Sequence, residues 1–593
     1  MSVVPQGKAI QAMYREYRED NFLVNRKYQR KLVWSINEKQ SLIDSILSGY
    51  PIPLILLAER SDVYGIGKYE IVDGIQRLNA IFGFIEQAFD INGLYFDVSQ
   101  FPTAKQHSDA GVFALVKDAN VLTPSECARL LDYQLALTIY PTREEAKVTE
   151  LFGRINSGGR QLSPHEQRQA GVVTQFSSVV RTVSAELRGD VSQDILFLSQ
   201  MPEISVDSGR ESHGYGVRAE DTLWCRQGIL SVKQLKESED EQLIADFAAS
   251  IVREEPLATS RELLDTLYDQ TTEEGEALER KTIAYGTERL RNEIKYTFSI
   301  IKHTIEACSS DANYLRSTVR PGVSGRYPIK APFSAIFMAF HDLVVKEQKT
   351  PVDYTQIMEA LRALSDRLQT ATHYETTSNR RANIAVTKGL IQQYFVTQVP
   401  HAFGHGPSLA LDFENALRRS RIESSRYEFK QGLLRLDTTR QHDPHLLSRL
   451  IETVCGISNL GPDMDGNLFI GVADKKADAE RIAALDSITP CQIADHYVVG
   501  VDREAQLLGL SIEHYVQRII NEFQQSQLTE PLKTHILSSF DTITVRGFTV
   551  IRILVSKQNT LSYVGNKAFS RQGSSTIEII GQQLVAASRL FPH

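Results

Sequence analysis

The stretch YEIVDGIQRLNAIFGFIEQAF, residues 69–89, contains a junction between a strand and a helix that decides the fold of the N-terminal part of the chain. Residues 69–72 have the aromatic and β-branched composition of a strand. Asp73 and Gly74 predict a tight turn directly after it. The apolar residues that follow have the i, i+3, i+4, i+7 spacing of one helix face, namely Leu78, Ile81, Phe82 and Ile85.

A turn of this kind has two interpretations. Free backbone N–H groups at a helix N-terminus attract anions, and Arg77 adds a planar guanidinium that suits phosphate. Asp73 would then bind a metal ion or a sugar hydroxyl. In the alternative interpretation Asp73 only caps the helix, and the spacing alone does not distinguish the two.

The neighbouring segments predict a second helix and a second strand. SINEKQSLIDSILSG, residues 35–49, predicts a helix that begins with a capping box of Ser35 and Glu38 and ends at Gly49. PIPLILLAE, residues 51–59, predicts a buried strand.

A further helix start is predicted in FGRINSGGRQLSPHEQR, residues 152–168, where Ser163 and Glu166 can form another capping box. The glycine-containing loop before it carries Arg154 and Asn156, which either face a ligand or only belong to a turn.

Four blocks in this part of the chain occur in order and at suitable intervals: YQRKLVW at 28–34, LIDSILSGYPIP at 42–53, VDGIQRL at 72–78 and FGRINSGGRQLSPHEQR at 152–168. Together they resemble the ParB-like family with an Asp-Gly-Gln-Gln-Arg motif. This family forms the N-terminal domain of GmrSD-type modification-dependent restriction proteins and of related phage-defence proteins. The resemblance covers roughly residues 10–235.

The resemblance implies a ParB/sulfiredoxin-like α+β fold and a nucleotide-binding, nucleotide-hydrolysing domain that governs a nuclease elsewhere in the chain. Carried over by position, the nucleotide-binding residues are Tyr28, Gln29, Arg30, Asp73, Gly74, Gln76 and Arg77, with Arg154 and Asn156 as further candidates. Ile75 replaces the first glutamine of the family's motif. An apolar side chain cannot hydrogen-bond a nucleotide. Ile75 therefore argues against nucleotide hydrolysis, while nucleotide binding is still compatible with it.

Near the C-terminus, RIESSRYEFKQ at residues 421–431 contains two glutamates five positions apart, Glu423 and Glu428. In one helix they would lie roughly 140° apart. In one strand the odd spacing would place them on opposite faces. Both carboxylates can therefore face one pocket only across a turn, which Ser424 and Ser425 suit.

The next four residues, YEFK at 427–430, alternate like a strand, which places Glu428 and Lys430 on one face. Metal-dependent nucleases use such a pair, because the carboxylate can hold a divalent cation while the lysine steadies the attacked phosphate. An ordinary surface ion pair is the alternative interpretation.

The rest of this part predicts alternating helices and strands. A helix is expected to begin at Asp443 and Pro444, and strands are expected at 468–472 and 548–556. The segment YVGNKAFSRQGSST, residues 563–576, supplies three groups that suit phosphate, namely Lys567, Arg571 and Ser574.

Three blocks carry a second resemblance: Glu-x4-Glu-x-Lys at 423–430, ISNLGPDMDGNLFIGVAD at 457–474 and SRQGSST at 570–576. Over about residues 415–580 the chain resembles the AlbA-like core domain of the Schlafen proteins. In nuclease-active Schlafens three acids cleave RNA with a divalent metal. By position these are Glu423, Glu428 and Asp474, with Asp463 and Asp465 as alternatives to Asp474.

The whole chain is thus expected to be a multidomain α+β protein with a helical middle domain and a C-terminal α/β domain. Its predicted parts are a ParB-like nucleotide-binding domain at 1–100, its helical extension at 101–235, a helical domain at 236–400, a linker at 401–408 and a Schlafen AlbA-like domain at 409–593.

Composition limits the function. The chain has 593 residues and a net charge of −8, which argues against coating nucleic acid by bulk charge but allows a local basic groove. No apolar run reaches the length of a membrane span, and the N-terminus lacks the apolar core of a signal peptide. Five isolated cysteines fit a reducing cytoplasm.

These observations predict a nucleotide-responsive, metal-dependent nuclease of bacterial anti-phage defence. Glu423, Glu428 and Asp474 would bind Mg²⁺ or Mn²⁺, and Lys430 would act on the phosphate of RNA, including tRNA, or of DNA. The nucleoside triphosphate is not identified, and the helical middle would relay its binding or form a homodimer or higher oligomer. A non-catalytic nucleic-acid-binding regulator and an NTPase are the alternatives.

Overall fold

The computed structural model describes most of the chain, and everything below concerns these residues. They are 5–26, 31–60, 67–141, 147–148, 163–169, 172, 174–190, 195–207, 215–258, 260–322, 327–369, 376–397, 407–420, 424–443, 445–462 and 465–591. The chain divides into two compact units, Met1–Pro400 and His401–His593. Among the described residues, no helix combines the length and the apolar composition that a membrane span requires.

A mixed six-stranded sheet forms the base of the first unit. Its strands are β1 (Pro5–Ala9), β2 (Phe22–Asn25), β3 (Ile55–Arg60), β4 (Lys68–Asp73), β5 (Gln134–Tyr140) and β6 (Ile195–Phe197). Their order in the sheet is β1-β5-β3-β4-β2-β6. Strand β3 lies at the centre, antiparallel to β4 and parallel to β5, so the β4–α3 junction starts from the interior of the sheet.

Three helices accompany these strands: α1 (Ile10–Arg18), α2 (Ile36–Leu47) and α3 (Ile75–Ile85). The predicted capping box of Ser35 and Glu38 is present at the start of α2. The predicted apolar stripe of α3 is buried completely or nearly so. The strand predicted from residue 51 begins only at Ile55, since Pro51 and Pro53 have no N–H to donate to a neighbouring strand.

The rest of the first unit is mainly helical. Its further α-helices are Pro102–Asp109, Pro124–Asp132, Pro164–Gln169, Gln175–Arg188, Met201–Ile204, Leu223–Arg226, Val232–Lys236, Glu239–Arg253, Arg261–Tyr268, Glu273–Tyr285, Thr287–Cys308, Tyr314–Val319, Lys330–His341, Tyr354–Ala360 and Thr377–Ile391. Two short pairs of strands complete it, β7 (Val206–Asp207) with β8 (Val217–Arg218), and β9 (Lys349–Pro351) with β10 (Phe395–Thr397).

Aromatic side chains form the centre of the helical part. Trp224 is fully buried and its ring lies 5.0 Å from that of Phe298. Phe247 and Phe337 stack with their ring centroids 4.0 Å apart. The helices of this part therefore pack on one another through large apolar surfaces.

The second unit contains a four-stranded sheet in the order β11-β12-β17-β16. The unit also contains a three-stranded sheet and a two-stranded hairpin. In chain order, the strands of the unit are β11 (Tyr427–Lys430), β12 (Gly466–Ile470), β13 (Val472–Ala473), β14 (Cys491–Ile493), β15 (His496–Val498), β16 (Phe540–Val545), β17 (Phe548–Val555), β18 (Ala568–Gln572) and β19 (Ser575–Ile579). Strands β13, β15 and β14 form the three-stranded sheet, and β18 and β19 form the hairpin. The α-helices are Pro407–Arg419, Leu446–Ser458, Lys476–Asp486, Asp502–Leu507, Ile512–Gln525, Leu532–Leu537 and Gln582–Ser588.

Two predicted boundaries in the second unit differ from the structure. The strand expected at 468–472 is divided at Gly471, whose φ of +111° turns the chain out of β12. A side chain at Gly471 would also meet the backbone of Thr549 and Gly500 at 3.2–3.3 Å. The helix expected from Asp443 begins at Leu446, because the Asp443 carboxylate accepts the His445 N–H in a turn ahead of it. Pro444 lies outside the described residues.

Candidate functional site

Strand β11 places Glu428 beside two cations. Tyr427 and Phe429 face the core, so Glu428 and Lys430 share the opposite face, as the alternation predicts. The Glu428 carboxylate contacts Lys430 Nζ through one oxygen and lies 2.9 Å from Arg571 Nη2 through the other. Each oxygen of the carboxylate therefore contacts a positive charge. The Glu428 side chain is 12% exposed, so a ligand can still reach it.

Arg571, which the sequence suggests as a group that suits phosphate, is buried. Its side chain is 1% exposed, and Nε and Nη2 donate to the carbonyl oxygens of Ser425 and Tyr427 at 3.3 and 3.2 Å. Nη1 donates to Thr576 Oγ1 at 3.0 Å. The guanidinium therefore joins the β18–β19 hairpin to the turn that precedes Glu428.

Asp474 follows β13 and lies close enough to Glu428 for their charges to interact. Partial burial of its carboxyl, and then the negative charge of Glu428, raise the pKa of Asp474 to about 6, although Lys430 acts in the opposite direction. Asp474 Oδ1 is also 3.6 Å from His496 Nε2. Asp474 thus lies within electrostatic range of Glu428 and Lys430, the two other described groups that the sequence predicts as catalytic.

His496 was not predicted from the sequence. It comes next to Asp474 because β15 pairs with β13, with Tyr497 opposite Ala473. Its ring centroid lies 4.3 Å from that of Phe429. No local motif precedes or follows His496, so only the pairing of two short strands could have identified it.

The other acids are accounted for as follows. Asp465 Oδ1 accepts the backbone N–H of Lys557 at 2.8 Å, a structural role at the end of β12. Glu423 and Asp463 lie outside the described residues. Within the part of the chain that the structure describes, no group of three or more His, Cys, Asp or Glu side chains is arranged to hold a metal ion.

A buried carboxylate fixes the chain immediately after Lys430. Glu504 is fully buried and accepts the Leu433 N–H at 2.7 Å and the Tyr515 hydroxyl at 2.7 Å. A Cβ at Gly432 would lie only 2.1 Å from Glu504 Oε1, so this close approach requires glycine. This contact fixes the chain directly after β11 and thereby the position of Lys430.

The two remaining predicted nucleic-acid contacts lie on the β18–β19 hairpin. Lys567 is 61% exposed and pairs with Glu578 at 2.7 Å. Ser574 is exposed in the turn between the two strands. Both residues are accessible to a large ligand.

In the first unit, the Asp-Gly-Ile-Gln-Arg motif forms the β4–α3 junction. Asp73 ends β4, and Gly74 has a φ of +106° as the N-cap residue of α3. A Cβ at Gly74 would lie 3.0 Å from the Ile55 side chain, so both conformation and space favour glycine. Ile75 is 7% exposed and packs inward, so its side chain offers no polar group to a ligand.

The next two motif residues bond to different neighbouring segments. Gln76 Oε1 accepts the N–H groups of Val33 and Trp34 at 3.1 and 3.3 Å, and its Nε2 donates to Lys31 O at 3.0 Å. Arg77 Nη2 donates to Asp73 Oδ2 at 2.7 Å and to Leu54 O at 2.9 Å.

The remaining predicted nucleotide-binding residues are Tyr28, Gln29, Arg30, Arg154 and Asn156, all outside the described residues. The residues on both sides of 27–30 are anchored. Arg26 Nη2 lies 2.6 Å from Asp190 Oδ2, and Lys31 Nζ donates to Leu235 O at 2.5 Å. The predicted capping box of Ser163 and Glu166 is present at the start of the helix Pro164–Gln169.

Comparison with known families gives one match. Residues 10–173 match the family described as GmrSD restriction endonuclease, N-terminal domain. The matched range includes β2–β5, α1–α3 and the motif at the β4–α3 junction. No curated protein matches the chain.

Proposed function

We propose that the chain is a metal-dependent nuclease of the restriction type that acts in phage defence and responds to a nucleotide bound by its first unit. The observation that carries the proposal is the proximity of Glu428, Lys430 and Asp474 in the second unit. The match of residues 10–173 to a restriction-endonuclease domain supports the same class of reaction.

The described donors suit a hard divalent cation. Carboxylate oxygens are the ligands that Mg²⁺ and Mn²⁺ prefer, and Glu428 and Asp474 supply two side chains of this type. Partial burial of the Asp474 carboxyl, and then the charge of Glu428, raise the pKa of Asp474, and a cation bound by the two carboxyls would oppose both effects. Glu423 is the candidate for a third ligand. When bound, the cation would supply an activated water and polarise the phosphate.

The side chains around this centre would have distinct roles. Lys430 pairs with Glu428 in the structure and would turn to a non-bridging phosphate oxygen of the nucleic acid when Glu428 binds a cation. Arg571 would remain with Glu428, since it is also fixed by Ser425, Tyr427 and Thr576. Exposed Lys567 and Ser574 would contact the backbone of the substrate.

For the first unit, we assign binding rather than hydrolysis of a nucleoside triphosphate. The N-terminus of α3, with Gly74 in the left-handed conformation and Arg77 one turn into the helix, suits phosphate. Inward-facing Ile75 contributes nothing to a hydrolytic centre.

The test is cleavage of tRNA, single-stranded RNA and duplex DNA with Mg²⁺ or Mn²⁺, with and without each nucleoside triphosphate. Glu428→Gln and Asp474→Asn should each lower the rate by at least about 100-fold, as is usual when a group that acts in the transition state is removed. Glu522→Gln, which alters an exposed carboxylate on the helix Ile512–Gln525, is the control and should cleave normally. Undiminished cleavage by Glu428→Gln or Asp474→Asn would contradict the proposal.

One observation favours a second function, a nucleic-acid-binding regulator without hydrolytic activity. Glu428 is already neutralised by Lys430 and Arg571, so its carboxylate is stable without a metal. Tight binding of nucleic acid without cleavage under any divalent cation would establish this alternative.

A further inference from the structure

A groove of about 440 Å³ lies beside helix α2 in the first unit. One part of its lining is apolar and comprises the Trp34 indole and the segment 51–53. The other part belongs to α2 and comprises Asn37, Glu38, Ser41, Leu42 and Ser45. The residues at 37, 41 and 45 are spaced by four and therefore follow one polar face of the helix. The volume lies within the range of small-molecule sites, about 300–1,000 Å³.

Both walls of the groove are tied to the motif at the start of α3. Gln76 accepts the Trp34 N–H and so fixes the backbone on the indole side. Arg77 donates to Leu54 O, directly after the proline segment on the other side. Consecutive residues of the motif thus set the position of both walls, and a ligand in the groove would lie next to the N-terminus of α3.

The lining has the chemistry of a nucleobase site. Trp34 is partly exposed, and in the described part of the chain no other aromatic ring stacks on it. An aromatic side chain with a free face stabilises a bound base by stacking on it. The Asn37 amide has two donors and one acceptor oxygen, and the Ser41 hydroxyl has both functions, so they can pair with the polar edge of a base.

We infer that this groove binds the base and sugar of a nucleoside triphosphate whose phosphates extend to the N-terminus of α3 and Arg77. The base stacks on Trp34, and Asn37 and Ser41 read its polar edge. The inference rests on the proposed nucleotide response and adds to it the part of the site that selects one base.

Tryptophan fluorescence provides a direct test, because the chain has two tryptophans, Trp34 and Trp224, and Trp224 is fully buried in the helical part. The protein is titrated with ATP, GTP, CTP, UTP and inorganic triphosphate. We expect at least one nucleotide to quench the emission, and inorganic triphosphate to leave it unchanged. Trp34→Phe should abolish the quenching while retaining most of the affinity.

Equilibrium dialysis with the same nucleotides measures affinity separately. Trp34→Ala should weaken binding about tenfold or more, as expected for a lost stacking contact. Asn37→Ala and Ser41→Ala change exposed positions that the fold does not require, and they should alter the preference among the four bases.

Three results would overturn the inference, and they separate it from the proposed function. If a nucleotide binds without quenching and with equal affinity to wild type and Trp34→Ala, the base lies elsewhere and the nucleotide response stands. If wild type binds no nucleotide, both fail. Quenching by a proline-rich peptide, but by no nucleotide, would assign the groove to a peptide and also overturn the inference.

Discussion

Arg571 Nη2 lies 2.9 Å from a carboxylate oxygen of Glu428, and this ion pair joins the β18–β19 hairpin to the edge strand β11. The same guanidinium bonds the backbone on both sides of Arg426, so one side chain orients the turn, the strand and the carboxylate. An arginine that appears in the sequence as a phosphate contact is a positioning residue for Glu428 in the structure.

The first prediction concerns this ion pair. Arg571→Ala should lower the free energy of unfolding of the second unit by about 1–3 kcal/mol, because one oxygen of the Glu428 carboxylate and two backbone carbonyls lose this donor while Lys430 still pairs with Glu428. Thermal unfolding of the purified variant measures this. Lys567→Ala, on the same hairpin but exposed, is the control and should unfold like wild type. Equal unfolding temperatures for the two variants would show that Arg571 has no structural role.

The second prediction uses the buried thiol of Cys455. Burial raises the pKa of Cys455 to about 12, and its Sγ contacts Ser562 O at 3.2 Å. Iodoacetamide at pH 8 should therefore modify the partly exposed Cys491 in the folded protein but spare Cys455 until denaturant is added. Mass spectrometry of peptides gives the two rates, and similar rates in native protein would contradict the packing. In Arg571→Ala the rate at Cys455 should increase.

The third prediction concerns Gln76. Gln76→Leu removes the partner of two N–H groups and one carbonyl in residues 31–34, so the first unit should be destabilised by about 1–3 kcal/mol. Gln76→Glu keeps the acceptor for Val33 and Trp34 but loses the donor to Lys31, and a smaller effect is expected. Thermal unfolding ranks the variants, and an unchanged Gln76→Leu protein would show that these bonds do not support the segment.

The fourth prediction is a pH dependence that originates at Lys39. Burial lowers the pKa of Lys39 to about 8, and its Nζ donates to the Tyr215 hydroxyl at 2.8 Å. Between pH 8 and the ordinary lysine pKa near 10.5, the unfolded chain binds a proton at Lys39 that the folded chain does not. The free energy of unfolding therefore increases as the pH rises through this interval.

Lys39→Met replaces the titrating amine with an uncharged side chain of similar length. The variant should be more stable than wild type at pH 7.5, and the difference should shrink by pH 9.5. Unfolding temperatures of both proteins at both pH values measure it. A difference that is constant with pH would mean that Lys39 titrates normally in the folded chain.

Several elements could be predicted because their causes are local. The capping boxes at Ser35 and Ser163 each require two side chains three residues apart, and both are present. The turn at Gly74 follows from the conformational freedom of glycine. The alternation of YEFK predicts that Glu428 and Lys430 share a face of β11, and they do.

The errors have equally physical causes. The strand expected from residue 51 starts at Ile55, because Pro51 and Pro53 cannot donate the backbone hydrogen bonds of a strand although the segment is apolar. The strand expected through Val472 is divided at Gly471, where Thr549 and Gly500 approach the backbone closely. Such close approach involves residues distant in sequence and leaves no mark in the local pattern.

The sequence by itself determined which of these segments form helices or strands and which of their faces are apolar, because periodicity and capping depend on residues within one or two turns. Only the tertiary structure decided that Asp474 lies next to His496 and within range of the Glu428 charge, that Arg571 turns inward to that carboxylate, and that Gln76 bonds the Trp34 backbone. These contacts join strands and loops far apart in the chain. Their formation depends on strand pairing and on the need of each buried polar group for a partner, and no short stretch of sequence specifies either.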